Sequence, residues 1–270
     1  MEYIKNIIKG AVTGIAMLVP GVSGGTMAII LGIYDRMIHS VSSFFQDWKK
    51  NLLFLLQVGA GGVLGVLLFG RIMEGAMASV PHIMKFLFMG FIVGGLPVLC
   101  RKSVSTGKRG ASDLLFLFLG FAIVLLMASE PEAVVNMASA SGIPGFIFLI
   151  AAGLIIAVGF VLPGISTSFM LLVLGLYEIT LNAINTVNIP FLIPLVLGVA
   201  VGTIGTAKII EKLLEKYPRK MYLLIMGFVA GSLIEVYPGI PAGWQLPVSF
   251  AAFASGFGIM LFIGKKGMVD

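Results

Sequence analysis

Two short runs hold the residues best suited to chemistry. The first is Pro20-Gly21-Val22-Ser23-Gly24-Gly25-Thr26 and the second is Pro163-Gly164-Ile165-Ser166-Thr167-Ser168. Glycines let a backbone turn sharply and approach a ligand closely. Ser23 and Thr26 add hydroxyls and can cap the apolar helix that follows, whose first N–H groups are free to hold a phosphate or carboxylate. The second run replaces glycines with hydroxyls and keeps the pattern. Ser23, Gly24, Gly25, Thr26, Ser166, Thr167 and Ser168 are therefore the candidate anion-binding residues. The plainer alternative is a pair of capped turns that bind nothing.

The two runs belong to a longer internal repeat. Residues 20–34 and 163–177 match at seven of fifteen positions, where this composition gives roughly one or two by chance. At an offset shorter by six, Gly61, Gly65, Arg71, Glu74, Gly90 and Gly94 fall on Gly198, Gly202, Lys208, Glu211, Gly227 and Gly231. The chain reads as a first repeat over 1–130, an extracytoplasmic linker over 131–144 and a second repeat over 145–270.

Composition names the solvent for these elements. Hydrophobic residues make up 59% of the chain and charged ones 11%, too few polar groups to cover a soluble fold of this size. Ten apolar segments follow from the pattern: 4–19, 24–38, 51–73, 83–100, 112–129, 145–162, 168–184, 189–210, 220–236 and 246–264. A single cysteine excludes an internal disulfide framework. The net charge of +6 sits in short loops without interleaved aromatics, which fits positive-inside topology better than nucleic acid.

Topology follows from those cations. If the first two segments of each half form a hairpin that leaves on the side it entered, every Lys and Arg except Arg71 and Lys85 lies inside, and so do both termini. Arms of about 15 residues cover about 22 Å of a ~30 Å hydrocarbon core, so the hairpins are expected to be re-entrant. Irregular backbone at that depth survives only within protein or beside water. The expected fold is an all-α integral membrane protein with two inverted-topology repeats, each a re-entrant helical hairpin plus about three transmembrane helices. Such broken, inverted repeats are typical of secondary transporters.

Other paired positions admit two readings each. Arg71 and Lys208 could receive an anion near opposite membrane faces, or be ordinary snorkelling cations. The acids Asp35 and Glu178, and Glu74 and Glu211, could take a coupling proton or sodium ion. For Glu74 and Glu211, intrahelical pairing with Arg71 and Lys208 is the better account. Gly61-xxx-Gly65, Gly90-xxx-Gly94 and their repeat partners are expected to pack helices closely. Tyr34 and Tyr177 read as interfacial anchors, and His39 and His82 lack metal-ligand spacing. No cofactor or metal is expected, and a homo-oligomer is left open.

From Pro20 through Met27, then Leu31-Gly32-Ile33-Tyr34-Asp35, and again at Pro163-Gly164-Ile165-Ser166, the chain strongly resembles the polyprenyl-phosphate transporter family, long catalogued as a domain of unknown function. The resemblance covers nearly the whole chain. It implies a flippase that returns undecaprenyl phosphate, a carrier of cell-wall precursors, across the bacterial cytoplasmic membrane, with that lipid and the bilayer as partners. Two alternatives stay open. An integral-membrane polyprenyl pyrophosphate phosphatase would want an arginine beside the serine and clustered acids, but Gly24 and Thr167 hold the following positions. A transporter of a small soluble anion would want a sealed cavity.

Overall fold

The computed structural model describes residues 2–18, 23–105, 110, 112–127 and 142–267, and the fold is all-helical across them. The first half holds α1 (Glu2–Met17), α2 (Gly24–Ile30), α3 (Tyr34–Ser42), α4 (Trp48–Ser79), α5 (Pro81–Ser105) and α6 (Asp113–Met127). The second holds α7 (Ile143–Val161), α8 (Thr167–Val173), α9 (Tyr177–Asn185), α10 (Ile189–Lys216), α11 (Pro218–Val236) and α12 (Gln245–Gly267). Five of these, α4, α5, α7, α10 and α12, are long and apolar enough to cross a membrane. Large apolar side chains such as Leu67, Leu68 and Phe262 stand exposed along them, as they should where lipid replaces water as the outer solvent.

The order of elements repeats, and so do the two short helices, seven and nine residues long, that follow each run of candidate residues. Two of the apolar segments expected to be continuous are broken. Segment 24–38 divides at Gly32 and segment 168–184 at Gly175, where φ is +70° and +63°. A left-handed residue cannot continue a right-handed helix, and glycine alone adopts it without a Cβ clash. The expected linker, 131–144, lies outside the described residues as far as 141, as do Pro20, Gly21 and Val22.

Close helix crossings hold the core together, and the paired glycines make them. α1 packs on α4 and α7 on α10. A Cβ at Gly61 would fall 2.0 Å from the carbonyl oxygen of Ile7, and one at Gly198 would fall 2.3 Å from that of Ile150. The last helix of each half then crosses to the other half: α12 packs on α5, and α6 packs on α11. Gly90 faces Phe253 and Gly227 faces Leu117 at these crossings, with backbone oxygens 2.2 Å and 2.1 Å from where a Cβ would stand. The halves are therefore exchanged rather than separable. Between α1 and α4 a buried Asn6 donates to Gln57 at 2.7 Å, each amide relieving the other's desolvation.

One ion pair fixes the crossing of α6 and α11 at its polar end. Arg219 Nε donates to Asp113 Oδ2 at 2.6 Å, with both side chains 13% exposed, and Arg219 also donates to the Ser103 carbonyl. The Gly110 N–H first, and the Arg219 guanidinium second, hold the Asp113 carboxyl below the ordinary carboxylate range. A depressed folded pKa stabilises the fold above the unfolded value, and that contribution disappears as pH falls through the folded one. Thermal unfolding of the detergent-solubilised protein is expected to decline on the acid side, with a shallower decline in Asp113→Asn. Equal slopes would show that this pair contributes nothing to the acid limb.

Candidate functional site

The two candidate runs meet. A Cβ on Gly25 would stand 3.1 Å from Pro163 Cα, a tight contact, so a glycine there lets the first run lie against the second without displacing it. Gly164, at φ +88°, turns the chain there, and a Cβ on it would fall 2.6 Å from the backbone N of Val229. Ser23, in an extended conformation, caps α2: its Oγ accepts the Gly25 N–H at 3.2 Å and keeps its own hydroxyl proton for another acceptor.

Beside this junction is a cavity of about 160 Å³, large enough for several water-sized groups at roughly 10–15 Å³ each. Ser23, Gly24, Gly25, Ser166 and Thr167 form its polar end. Its remaining wall comes from α1, α3, α7 and α10 and is mostly apolar, with Met17, Met37, Ile38, Val41, Phe160 and Val161 facing inward beside Thr13 and Thr203. Met17 and Phe160 are each 52% exposed, so the apolar side reaches the outer surface of the helices. The described lining holds no side chain that is charged at neutral pH. Such a chamber suits an amphiphile, with hydroxyl and backbone donors for a small anionic head and an apolar exit for a tail.

Not every candidate residue arrives there. Thr26 is buried on the opposite side of α2, where its Oγ1 finds no partner among the described residues and borders a separate void of about 10 Å³ with Ser232. Ser168 belongs to α8, but its side chain lies outside the described residues. Arg71 and Lys208 are exposed and line no part of the cavity. Ala207 does line it, and Lys208 comes next on α10, turned about 100° away by the helical step. Helices α2 and α8 are only two turns long. Their contribution to an anion comes from local N–H groups and hydroxyls more than from a long macrodipole.

The acids also part company. Asp35 accepts Lys102 Nζ at 3.0 Å and the Tyr222 hydroxyl at 3.1 Å, whereas Glu178 is exposed without an ion pair among the described residues. Glu211 takes His39 Nδ1 at 2.7 Å and the Ser42 hydroxyl, and not Lys208. Glu74 is exposed and does not pair with Arg71. The expected intrahelical pairs are thus replaced on α10 by contacts with α3 that the residue spacing could not disclose.

Tyr34 is the residue that sequence reasoning missed. Expected at an interface, it is 2% exposed, lines the cavity and donates its hydroxyl to the Val161 carbonyl at 3.1 Å. It ties the start of α3 to the end of α7, just before the second run. The signal available was its place immediately after the Gly32 break, in a repeat that also keeps Tyr177.

Comparison with known proteins gives the same direction. A polyprenyl-phosphate transporter of Staphylococcus aureus is 32% identical over 284 residues, spanning 98% of this chain and 98% of the relative. Another polyprenyl-phosphate transporter, from Vibrio cholerae serotype O1, is 27% identical over 274 residues, spanning 95% of this chain and 83% of the relative. No solved structure matches. The family described as VCA0040-like, undecaprenyl phosphate translocase-like, matches residues 13–245, and this multi-pass membrane protein belongs to that family.

Proposed function

We propose that the protein is a flippase that moves undecaprenyl phosphate, or a similar polyprenyl phosphate, across the bacterial cytoplasmic membrane for recycling of the lipid carrier. The observation that carries this reading is the single cavity in which the two runs meet, polar at Ser23 and Ser166 and apolar toward Met17 and Phe160. A phosphate cannot cross hydrocarbon unaided, since an isolated charge there costs on the order of tens of kcal/mol in the Born limit. One helix end supplies only about 0.3–2 kcal/mol. Several donors and retained water must act together while the prenyl tail stays in lipid.

In this reading the halves have inverted topology, the short helices belong to re-entrant hairpins, and both termini are cytoplasmic. Arg71 and Lys208 then act outside the cavity, as cations that receive the headgroup at the two faces. A proton or sodium ion on the paired acids is the proposed coupling ion. The absence of Arg and acidic side chains from the described lining favours transport over phosphatase chemistry, which needs both beside the serine.

The test is transfer of a headgroup-labelled polyprenyl phosphate between leaflets of proteoliposomes, against protein-free vesicles. Acceleration without release of inorganic phosphate supports the proposal. Phosphate release from a polyprenyl pyrophosphate would replace it with an enzyme, and transport of free phosphate alone would replace it with a soluble-anion carrier.

A further inference from the structure

The repeat is broken at one interface. Helix α3 packs on α10 and is held there by polar contacts, while its counterpart α9 has no comparable packing on α4, the counterpart of α10. Ile38 on α3 is 6% exposed, and Leu181, its equivalent on α9, is 44% exposed. Beyond the cavity, His39 and Ser42 close on Glu211, one turn past the cavity-lining Ala207. At the near end of α3, Asp35 holds Lys102 and Tyr222, and Tyr34 holds the Val161 carbonyl.

Transferring the partners through the repeat offsets gives a second set that is complementary at three pairs, although Lys102 falls on Gly239 and Ser42 on Asn185. Asp35 and Tyr222 correspond to Glu178 and Lys85, an acid and a base. His39 and Glu211 correspond to Asn182 and Glu74, a donor and a carboxylate. Tyr34 and Val161 correspond to Tyr177 and Leu18, a hydroxyl and a backbone carbonyl. Among the described residues no hydrogen bond or ion pair joins any of these second pairs, and the glycines at the two breaks, Gly32 and Gly175, have nearly the same φ, +70° and +63°.

We infer that the chain has a second conformation in which α9 closes on α4 through Asn182–Glu74 and on the start of α5 through Glu178–Lys85, while α3 releases α10 and α11, so that two equivalent gates seal the cavity alternately. The inference rests on the transport reading, to which it supplies the moving parts. Apart from the buried Tyr34–Val161 bond, the two states differ by the exchange of one partly exposed polar set for another on the same kind of helix. Such contacts are individually weak, which is what a readily reversible gate needs.

The test uses the full-length protein in lipid vesicles, with the exposed Cys100 replaced by serine. One variant carries Ile38→Cys with Leu214→Cys, two residues that border a common pocket beside Asp35 and Tyr222. The other carries their equivalents, Leu181→Cys with Met77→Cys. A short bis-methanethiosulfonate is expected to link both pairs. Adding Asp35→Asn should raise the yield of the second link, and lower that of the first, by roughly two- to fivefold. Glu178→Gln should do the reverse.

A second pair that never links, even with Asp35→Asn, overturns the inference, as does a first pair that fails to link. Links that ignore both charge variants remove the assigned residues from the gates. Both links with the expected shifts, in a protein that moves no polyprenyl phosphate, would leave the two gates standing and defeat the substrate reading alone.

Discussion

Replacing Ser23 and Ser166 together with alanine is expected to slow polyprenyl-phosphate transfer at least about tenfold. A hydrogen bond to a charged group contributes roughly 1.5–3 kcal/mol, and 1.4 kcal/mol is tenfold. The two hydroxyls come from opposite halves of the chain and line one polar end, so neither has a close substitute for the other. Ser23→Ala also removes the cap on the Gly25 N–H, at about 1 kcal/mol. Thermal unfolding of the same preparations separates that cost from lost binding. Thr26→Val supplies the contrast: its hydroxyl has no partner among the described residues and faces a different void, so transport should change little and stability should hold or rise. Undiminished transfer by the folded double variant would remove the serines from the site.

Why Thr26 separates from Ser23 shows what the residue pattern can and cannot carry. Spacing marked Ser23 as the cap of the following helix and Gly24 and Gly25 as points of close backbone approach, because glycine content and capping are local properties. It could not say which way a side chain three residues along would face once α2 was surrounded by α5 and α12. The paired glycines were legible as crossing points for a similar reason: a missing side chain is a local fact, and Gly90 and Gly227 do meet backbone oxygens. Which helix each would meet was not legible, since exchange of α6 and α12 between the halves depends on the path of the whole chain.

The acids carry the same lesson further. Asp35 and Glu178 are equivalent in the repeat, and both are exposed, yet one is tied to Lys102 and Tyr222, which lie 67 and 187 residues away, while the other makes no ion pair among the described residues. Residue patterns report what a repeat has in common. A single conformation of the folded chain also reports which of two equivalent contacts is made, and that difference is what distinguishes Tyr34 from Tyr177 and Glu211 from Glu74.

Gly61→Ala is expected to damage the assembled protein far more than Gly59→Ala, two residues earlier on the same helix. A Cβ at position 61 would lie 2.0 Å from the Ile7 carbonyl oxygen and 3.0 Å from the Ala11 backbone N, both on α1, whereas one at position 59 would meet nothing within 4 Å. Backbone atoms cannot rotate aside as a flexible side chain can, so α1 must move off α4. Overpacking of this kind costs roughly 1–3 kcal/mol, occasionally more. The shift would also strain the Asn6–Gln57 hydrogen bond between the same two helices, exposing buried amides to an apolar surrounding. Gly59→Ala should be neutral or slightly stabilising, because alanine is the better helix former. Transfer activity should follow assembly, since Thr13 and Met17 of α1 form part of the cavity wall. Yield of monodisperse protein and its melting temperature in detergent measure the effect; equal behaviour of the two variants would mean that α1 does not pack on α4 at Gly61.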